Sequence, residues 1–198
     1  MQKLDIDHVL FWMDAIRNSK DRDRLLECFW KGQIKSKAWL IKNLRKHIHA
    51  VVSIDIHGGW NGVLASMIFQ STIYTKNIRS LDIDPSCEEV ARSINKLEEM
   101  WGKFTAITAD MCTTASDADV IINTSCEHIT QEQYDMWLSL QPKDSLLVLQ
   151  SNNYEIPEHV RIATSLDNFK EQSKINVIWA GELDLPLYKR WMIIGRKN

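Results

Sequence analysis

The sequence predicts an α/β fold: a mostly parallel sheet, helices on its two faces and an antiparallel last strand. Three observations predict it. From residue 50 onward, short apolar runs alternate with segments of helical period. The first run, in VVSIDIHGGWNG at 51–62, ends in an acid and a glycine-rich turn, and the second, in SLDIDP at 80–85, again ends in an acid. The last two runs, 175–183 and 188–195, are separated only by DLPL, a hairpin-length connection.

The elements follow in order. Leu4, Val9, Leu10, Trp12, Met13 and Ile16 recur at roughly helical spacing and predict a first helix over 4–18. Helices over 21–31 and 35–47 follow, broken near Gly32. The period then changes. Strands are expected at 50–56, 77–83, 104–109, 118–123 and 145–150, with helices at 62–74, 86–100, 130–140 and 166–172 between or after them. Pro85 suits a first helical turn. Thr130 with Gln133 forms a capping-box pattern. Alternation of this kind places parallel strands under right-handed helical crossovers. Residues 1–48 read as a helical extension or lid, and 49–198 as a single cofactor-binding domain.

Composition narrows the class. The 198 residues suffice for one domain with a sizeable core. No apolar run approaches the roughly 20 residues that span a bilayer. The start, MQKLDIDHVLFWMD, has no signal-peptide core. A cytoplasmic protein with no membrane partner is expected. Cys28, Cys87, Cys112 and Cys126 are widely spaced and form no CxxC, so free thiols and no metal centre are expected. Residues 1–48 carry 11 Lys/Arg against 6 Asp/Glu, which leaves the rest of the chain acidic. That basic segment suits either an anionic partner or an ordinary solvated helix face.

A strand, a glycine turn, a helix and a second strand tipped by a carboxylate build a nucleotide-type site at the carboxyl edge of a parallel sheet. With the terminal hairpin, this layout over residues 50–196 resembles the class I S-adenosylmethionine (SAM) dependent methyltransferases. The resemblance implies a Rossmann-like seven-stranded sheet and SAM as cofactor. It implies that Asp55 closes the first strand, that the Gly58–Gly59 backbone runs beneath the methionine part, and that Asp82 takes both ribose hydroxyls, with Ile83 beside it. Asp110 and Met111 correspond to the adenine contacts, and Asn123 joins the cofactor residues at the end of the fourth strand. Glu127 and His128, in NTSCEHI, correspond to an acid–histidine pair facing the methyl group. A narrower resemblance, to small, often virus-encoded methyltransferase-like proteins, rests on FWKGQIKSKAWL, GGWNG, NTSCEHI, LQSNNY and GELDLPLY.

The loop departs from the family in one respect. Where the family has acid-x-Gly-x-Gly-x-Gly, this chain has Asp55, His57, Gly59 and Asn61, with bulky Trp60 inserted. Trp60 either contacts cofactor or substrate, or packs on the N-terminal helices. Asp82 matches a diol by accepting two hydrogen bonds. Asp84 suits a helix cap. Glu127 and His128 are placed to orient or deprotonate an acceptor, or else cap a turn. Gln150, Asn152, Asn153 and Tyr154 follow the fifth strand at the same edge and suit a polar acceptor. Tyr188, Gln33 and Lys37 are further candidates for that pocket.

The leading expectation is methyl transfer to a small polar molecule or side chain. Transfer of the aminobutyryl arm of SAM needs the same pocket and stays open, as does an inactive binding module. A nicotinamide enzyme fits poorly, because its GxGxxG requires glycine where His57 stands. Nucleic acid is a less favoured partner. No [DN]PP[YF] or Pro-Cys signature appears, Cys126 included, and no basic run is interleaved with aromatics.

Overall fold

The computed structural model describes residues 6–198, and Leu4 of the expected first helix lies outside the described residues. Seven strands form one sheet: β1 (Ala50–His57), β2 (Tyr74–Asp82), β3 (Phe104–Thr108), β4 (Val120–Asn123), β5 (Leu146–Asn152), β6 (Ile175–Asp184) and β7 (Lys189–Lys197). Their order is β3-β2-β1-β4-β5-β7-β6. β1 to β5 are parallel, and β7 lies antiparallel between β5 and β6. The strand order reverses between β1 and β4, so the loops leaving their carboxyl ends diverge and open a crevice.

The helices are α1 (Ile6–Asn18), α2 (Arg22–Glu27), α3 (Lys31–Leu44), α4 (Val63–Phe69), α5 (Ser86–Ile94), α6 (Lys96–Met100), α7 (Gln131–Ser139) and α8 (Leu166–Ser173), with a 3-10 turn at Cys126–His128. The expected capping box is formed at α7. Thr130 Oγ1 accepts from the Gln133 N–H, and Gln133 Oε1 accepts from the Thr130 N–H at 2.8 Å.

Several boundaries differ from the sequence expectation: the helix expected over 62–74 ends at Phe69 and the strand expected from 118 starts at Val120. The break expected near Gly32 falls instead between Glu27 and Lys31, and Gly32 lies inside α3. It is glycine because the Trp30 indole lies on it: an added Cβ would sit 2.0 Å from that ring. The helix expected over 86–100 is interrupted at Asn95, whose side-chain amide donates to the carbonyls of Ala91 and Gly62. β2 starts at Tyr74, earlier than expected, because Tyr74 and Thr75 pair with Ala50 and Val51.

The sheet is buried on both faces. Ile54 and Ile56 of β1 pack with Leu64 and Ile68 of α4 and with Leu40 and Leu44 of α3. On the other face Ile121, Leu147 and Leu149 meet Tyr134 and Trp137 of α7. Full burial of side chains of this size stabilises the fold by about 1.5–3 kcal/mol each. A smaller cluster of Ala15, Leu25, Val63 and Ile94 seats α1 and α2 on α4 and α5. α3 therefore shares the core of the sheet, and the helices before β1 reach over its carboxyl edge.

Candidate functional site

The carboxyl ends of β1, β2, β4 and β5 open on one cavity of about 1240 Å³. The strand-tip loops make one wall, and residues of α2 and α3, including Arg24, Gln33, Ser36 and Lys37, make the other. A cavity of this size admits a nucleoside-sized ligand together with a small second molecule.

The glycine turn after β1 is tightly held. Gly58 (φ +64°), Trp60 (φ +49°) and Gly62 (φ +74°) are all left-handed. Trp60 thus adopts a conformation that costs little only for glycine. Gly59 lies against β2: its N–H donates to Leu81 O at 2.9 Å, and an added Cβ would sit 2.0 Å from Ser80 Oγ. Trp60 packs against the cluster seating α1 and α2, as one of the two sequence readings has it, and the residue also lines the cavity. His57 stands where the methyltransferases that the sequence resembles have a glycine. It is fully buried beneath the loop, and its Nδ1 accepts the Trp137 indole N–H at 2.7 Å. Burial pushes its pKa down to about 4, so it is a neutral packing residue.

Asp82, at the tip of β2, lines the cavity. Its Oδ2 accepts from the Trp60 N–H at 2.8 Å and its Oδ1 from the Asp84 N–H at 3.1 Å. One lone pair per oxygen remains for a ligand. Ile83, Asp110 and Met111 line the same end, Ile83 with 69% of its surface exposed. Asp84 caps α5 through Ser86 and also accepts from Arg24 Nη2 at 2.5 Å, which ties α2 to the β2 tip.

Three expected site residues are placed elsewhere. Asp55 does not line the cavity. It lies 1% exposed against the neighbouring strand, with Arg79 donating to both carboxylate oxygens and Ser116 Oγ 2.6 Å from Oδ2. The cause is register: Asp55 pairs directly with Arg79 across β1 and β2. Asn123 is buried below the cavity, where its Oδ1 accepts the Ser125 N–H and its amide faces Met111 Sδ. Asn153 is exposed, and its Oδ1 accepts the Lys189 N–H.

The other expected residues gather around a buried polar nest. Glu127 Oε1 accepts from Arg190 Nη1 at 2.7 Å and from Asn152 Nδ2 at 2.6 Å. Arg190 also donates to the Thr124 carbonyl and to Gln150 Oε1, and Gln150 Oε1 accepts from Ser36 of α3. Tyr154 and Tyr188 stack at 5.4 Å between centroids beside it. Gln150, Asn152, Tyr154, Tyr188, Glu127 and Arg190 all line the cavity. Sequence reasoning missed Arg190. The signal was its period-two phase with inward-facing Met192 and Ile194.

Sequence reasoning also missed His159. It lies on the segment after β5, beside His128, with the two imidazole centroids 4.6 Å apart. Where no metal centre was expected, ligand atoms of Glu127, His128 and His159 all lie within 4.8 Å of one another. Burial and the neighbouring His159 lower the His128 pKa, although Glu127 opposes this. Across the cavity, Lys37 donates to Gln33 Oε1 at 2.8 Å, and desolvation pushes its pKa down to about 8. Cys126 is fully buried, its thiol pushed up to about 12 by burial, and is inert.

No helix among the described residues is long and apolar enough to cross a membrane. No protein-family model and no curated protein matches the chain. Solved structures do. Magnesium protoporphyrin IX methyltransferase (ChlM) from Synechocystis PCC 6803, with bound SAH, superposes with TM-score 0.65 at 12% identity over 98% of this chain and 95% of its own. The mitomycin 7-O-methyltransferase MmcR gives 0.62 at 15% identity over 93% of this chain, which spans 60% of that enzyme's length. A mutant of MtNAS in complex with S-adenosylmethionine gives 0.61 at 12% identity over 96% of this chain and 72% of its own. The likeness concerns the fold and not the narrower virus-encoded group. The chain has the Rossmann-like, seven-stranded fold of the SAM-dependent methyltransferases.

Proposed function

We propose that the protein is a SAM-dependent methyltransferase acting on a small polar molecule or a polar side chain. The observation that carries the reading is Asp82: a carboxylate at the tip of β2, anchored by two backbone N–H groups, with lone pairs left on the cavity. Those lone pairs match a ribose diol. Gly58, Gly59 and Trp60 line the cavity and would run beneath the methionine part, and Ile83, Asp110 and Met111, which line the same cavity, would border adenine. His57, the departure from the glycine pattern, is buried beneath the loop and takes no space from the cavity.

SAM supplies the electrophilic methyl group when bound. The chain's own residues do the rest. Gln150, Asn152, Tyr154 and Tyr188 hold the acceptor by hydrogen bonds and ring contacts. Arg190 and Asn152 fix the Glu127 carboxylate, which then orients the acceptor rather than moving freely. His128 donates its Nδ1–H to the Glu158 carbonyl, 3.2 Å away, leaving Nε2 as the proton acceptor. α2 and α3 cover the site and exclude water. The same reading makes a small molecule in the cytoplasm the partner.

Calorimetric titration with SAM and with S-adenosylhomocysteine, with NAD as control, tests the proposal. Binding in the micromolar range is expected for both sulfur ligands. Asp82→Ala removes two hydrogen bonds of about 0.5–1.5 kcal/mol each and weakens binding roughly tenfold or more. A folded chain that binds neither ligand overturns the reading. Product analysis then separates methyl transfer, which yields S-adenosylhomocysteine, from aminobutyryl transfer, which yields methylthioadenosine.

A further inference from the structure

We propose that Glu127, His128 and His159 form a binding site for one divalent transition-metal ion, with Zn2+ the ion their chemistry fits best. Three independent features support it. One potential ligand atom from each of the three residues lies within 4.8 Å of the other two. Ligands bonded at ~2.1 Å to a tetrahedral ion stand about 3.4 Å apart, so the ligand atoms need draw together by roughly 1.4 Å at most to close the site.

Both imidazoles are set in the ligating tautomer. His128 Nδ1 is 3.2 Å from the Glu158 carbonyl and His159 Nδ1 is 2.7 Å from the Tyr154 carbonyl. A carbonyl only accepts, so each Nδ1 carries the proton and each Nε2 presents its lone pair. Backbone carbonyls orient metal-bound histidines in the same way.

The carboxylate is half used. Glu127 Oε1 takes Arg190 and Asn152, whereas Oε2 is buried without a hydrogen-bond partner. A buried, unpaired carboxylate oxygen is costly, and a cation at that position would satisfy it. The segment bearing His159 is pinned beside the 3-10 turn. The Arg161 N–H donates to Glu127 O, Arg161 Nε donates to Cys126 O, and its guanidinium stacks on Tyr134 at 4.2 Å. The two halves of the site are thus held in register.

Two imidazoles and one carboxylate suit a borderline ion over Mg2+ or Ca2+, which prefer all-oxygen shells. All three residues line the cavity, so positions left open on the ion face the acceptor's space. The ligand class for those positions is an acceptor hydroxyl, carboxylate or thiolate; with the ion bound, His128 Nε2 is a ligand and the ion takes over its part in activating the acceptor, a role that rests on the methyltransferase reading. Metal capture itself does not rest on it.

The test is titration of the full, untagged chain with Zn2+ alone, without SAM. The expected result is one ion per chain, with affinity reduced at least tenfold in His159→Gln and in His128→Gln. A wild-type measurement guards against variants that misfold: the imidazole 15N resonances of His128 and His159 should shift at Nε2 on adding Zn2+. Failure to bind one ion per chain, uptake unchanged in both folded variants, or unmoved Nε2 resonances would overturn the site. SAM titration of the same samples keeps its failure separate from failure of the proposed function.

Discussion

Arg190 and Glu127 form a buried ion pair, Nη1 to Oε1 at 2.7 Å, that fastens the antiparallel strand β7 to the turn after β4. Both side chains are under 10% exposed, so removing one partner strands a charge. Arg190→Met should destabilise the chain by about 3–5 kcal/mol. In a Glu127→Gln background the same change should cost less, since no charge is left behind. Urea unfolding of the four proteins in this cycle measures the coupling. Additivity within about 0.5 kcal/mol would show that the pair does not act as a unit.

The close approach of Gly59 to Ser80 gives a second prediction. Gly59→Ala puts a methyl group 2.0 Å from Ser80 Oγ, on the strand that carries Asp82. Either the turn or the β2 tip must move, and SAM affinity should fall at least tenfold. Ser80→Ala in the same chain removes the clashing oxygen and should restore most of the binding. A rescue that fails would place the defect in the remaining contact with the residue-80 Cβ, 3.3 Å from the added methyl group.

Asp55 and Asp82 read alike in the sequence, yet Asp82 ends β2 on the cavity, whereas Asp55 lies two residues short of the end of β1 and pairs with Arg79. Asp55→Asn breaks a two-pronged pair with Arg79 and should lower stability, with the effect on SAM affinity well below that of Asp82→Ala. Parallel thermal melts and SAM titrations of the two variants check this. Equal losses of affinity would return Asp55 to the cofactor site.

These pairs also show what a single sequence carries. The succession of strands and helices and the terminal hairpin were legible because period and turn chemistry are local. So was the Thr130–Gln133 cap, whose partners lie three residues apart. The place of Asp82 on the cavity was legible because the second strand ends at that residue, on the carboxyl edge of the sheet. Asp55 was misplaced because its partner, Arg79, is set by register between strands, which no local pattern records. Arg190 and His159 were missed for the same reason. Each reaches Glu127 or His128 from a segment more than 30 residues away.

His57 gives the clearest pH dependence. Burial depresses its pKa in the folded state to about 4 from an ordinary value of 6.5. Between those two values the unfolded chain binds a proton that the folded chain does not, so stability rises with pH across that window. The contribution is complete above about pH 6.5, is lost as pH falls toward 4, and amounts to about 3 kcal/mol. His57→Gln keeps an acceptor for the Trp137 indole N–H and removes the titration. Its unfolding free energy should therefore fall less steeply than the wild type's from pH 6.5 to 4, while groups common to both proteins cancel in the difference. Parallel curves through that window would mean that His57 is protonated in the fold as it is in the unfolded chain, with the added proton on Nδ1 in place of the hydrogen bond accepted from the Trp137 indole.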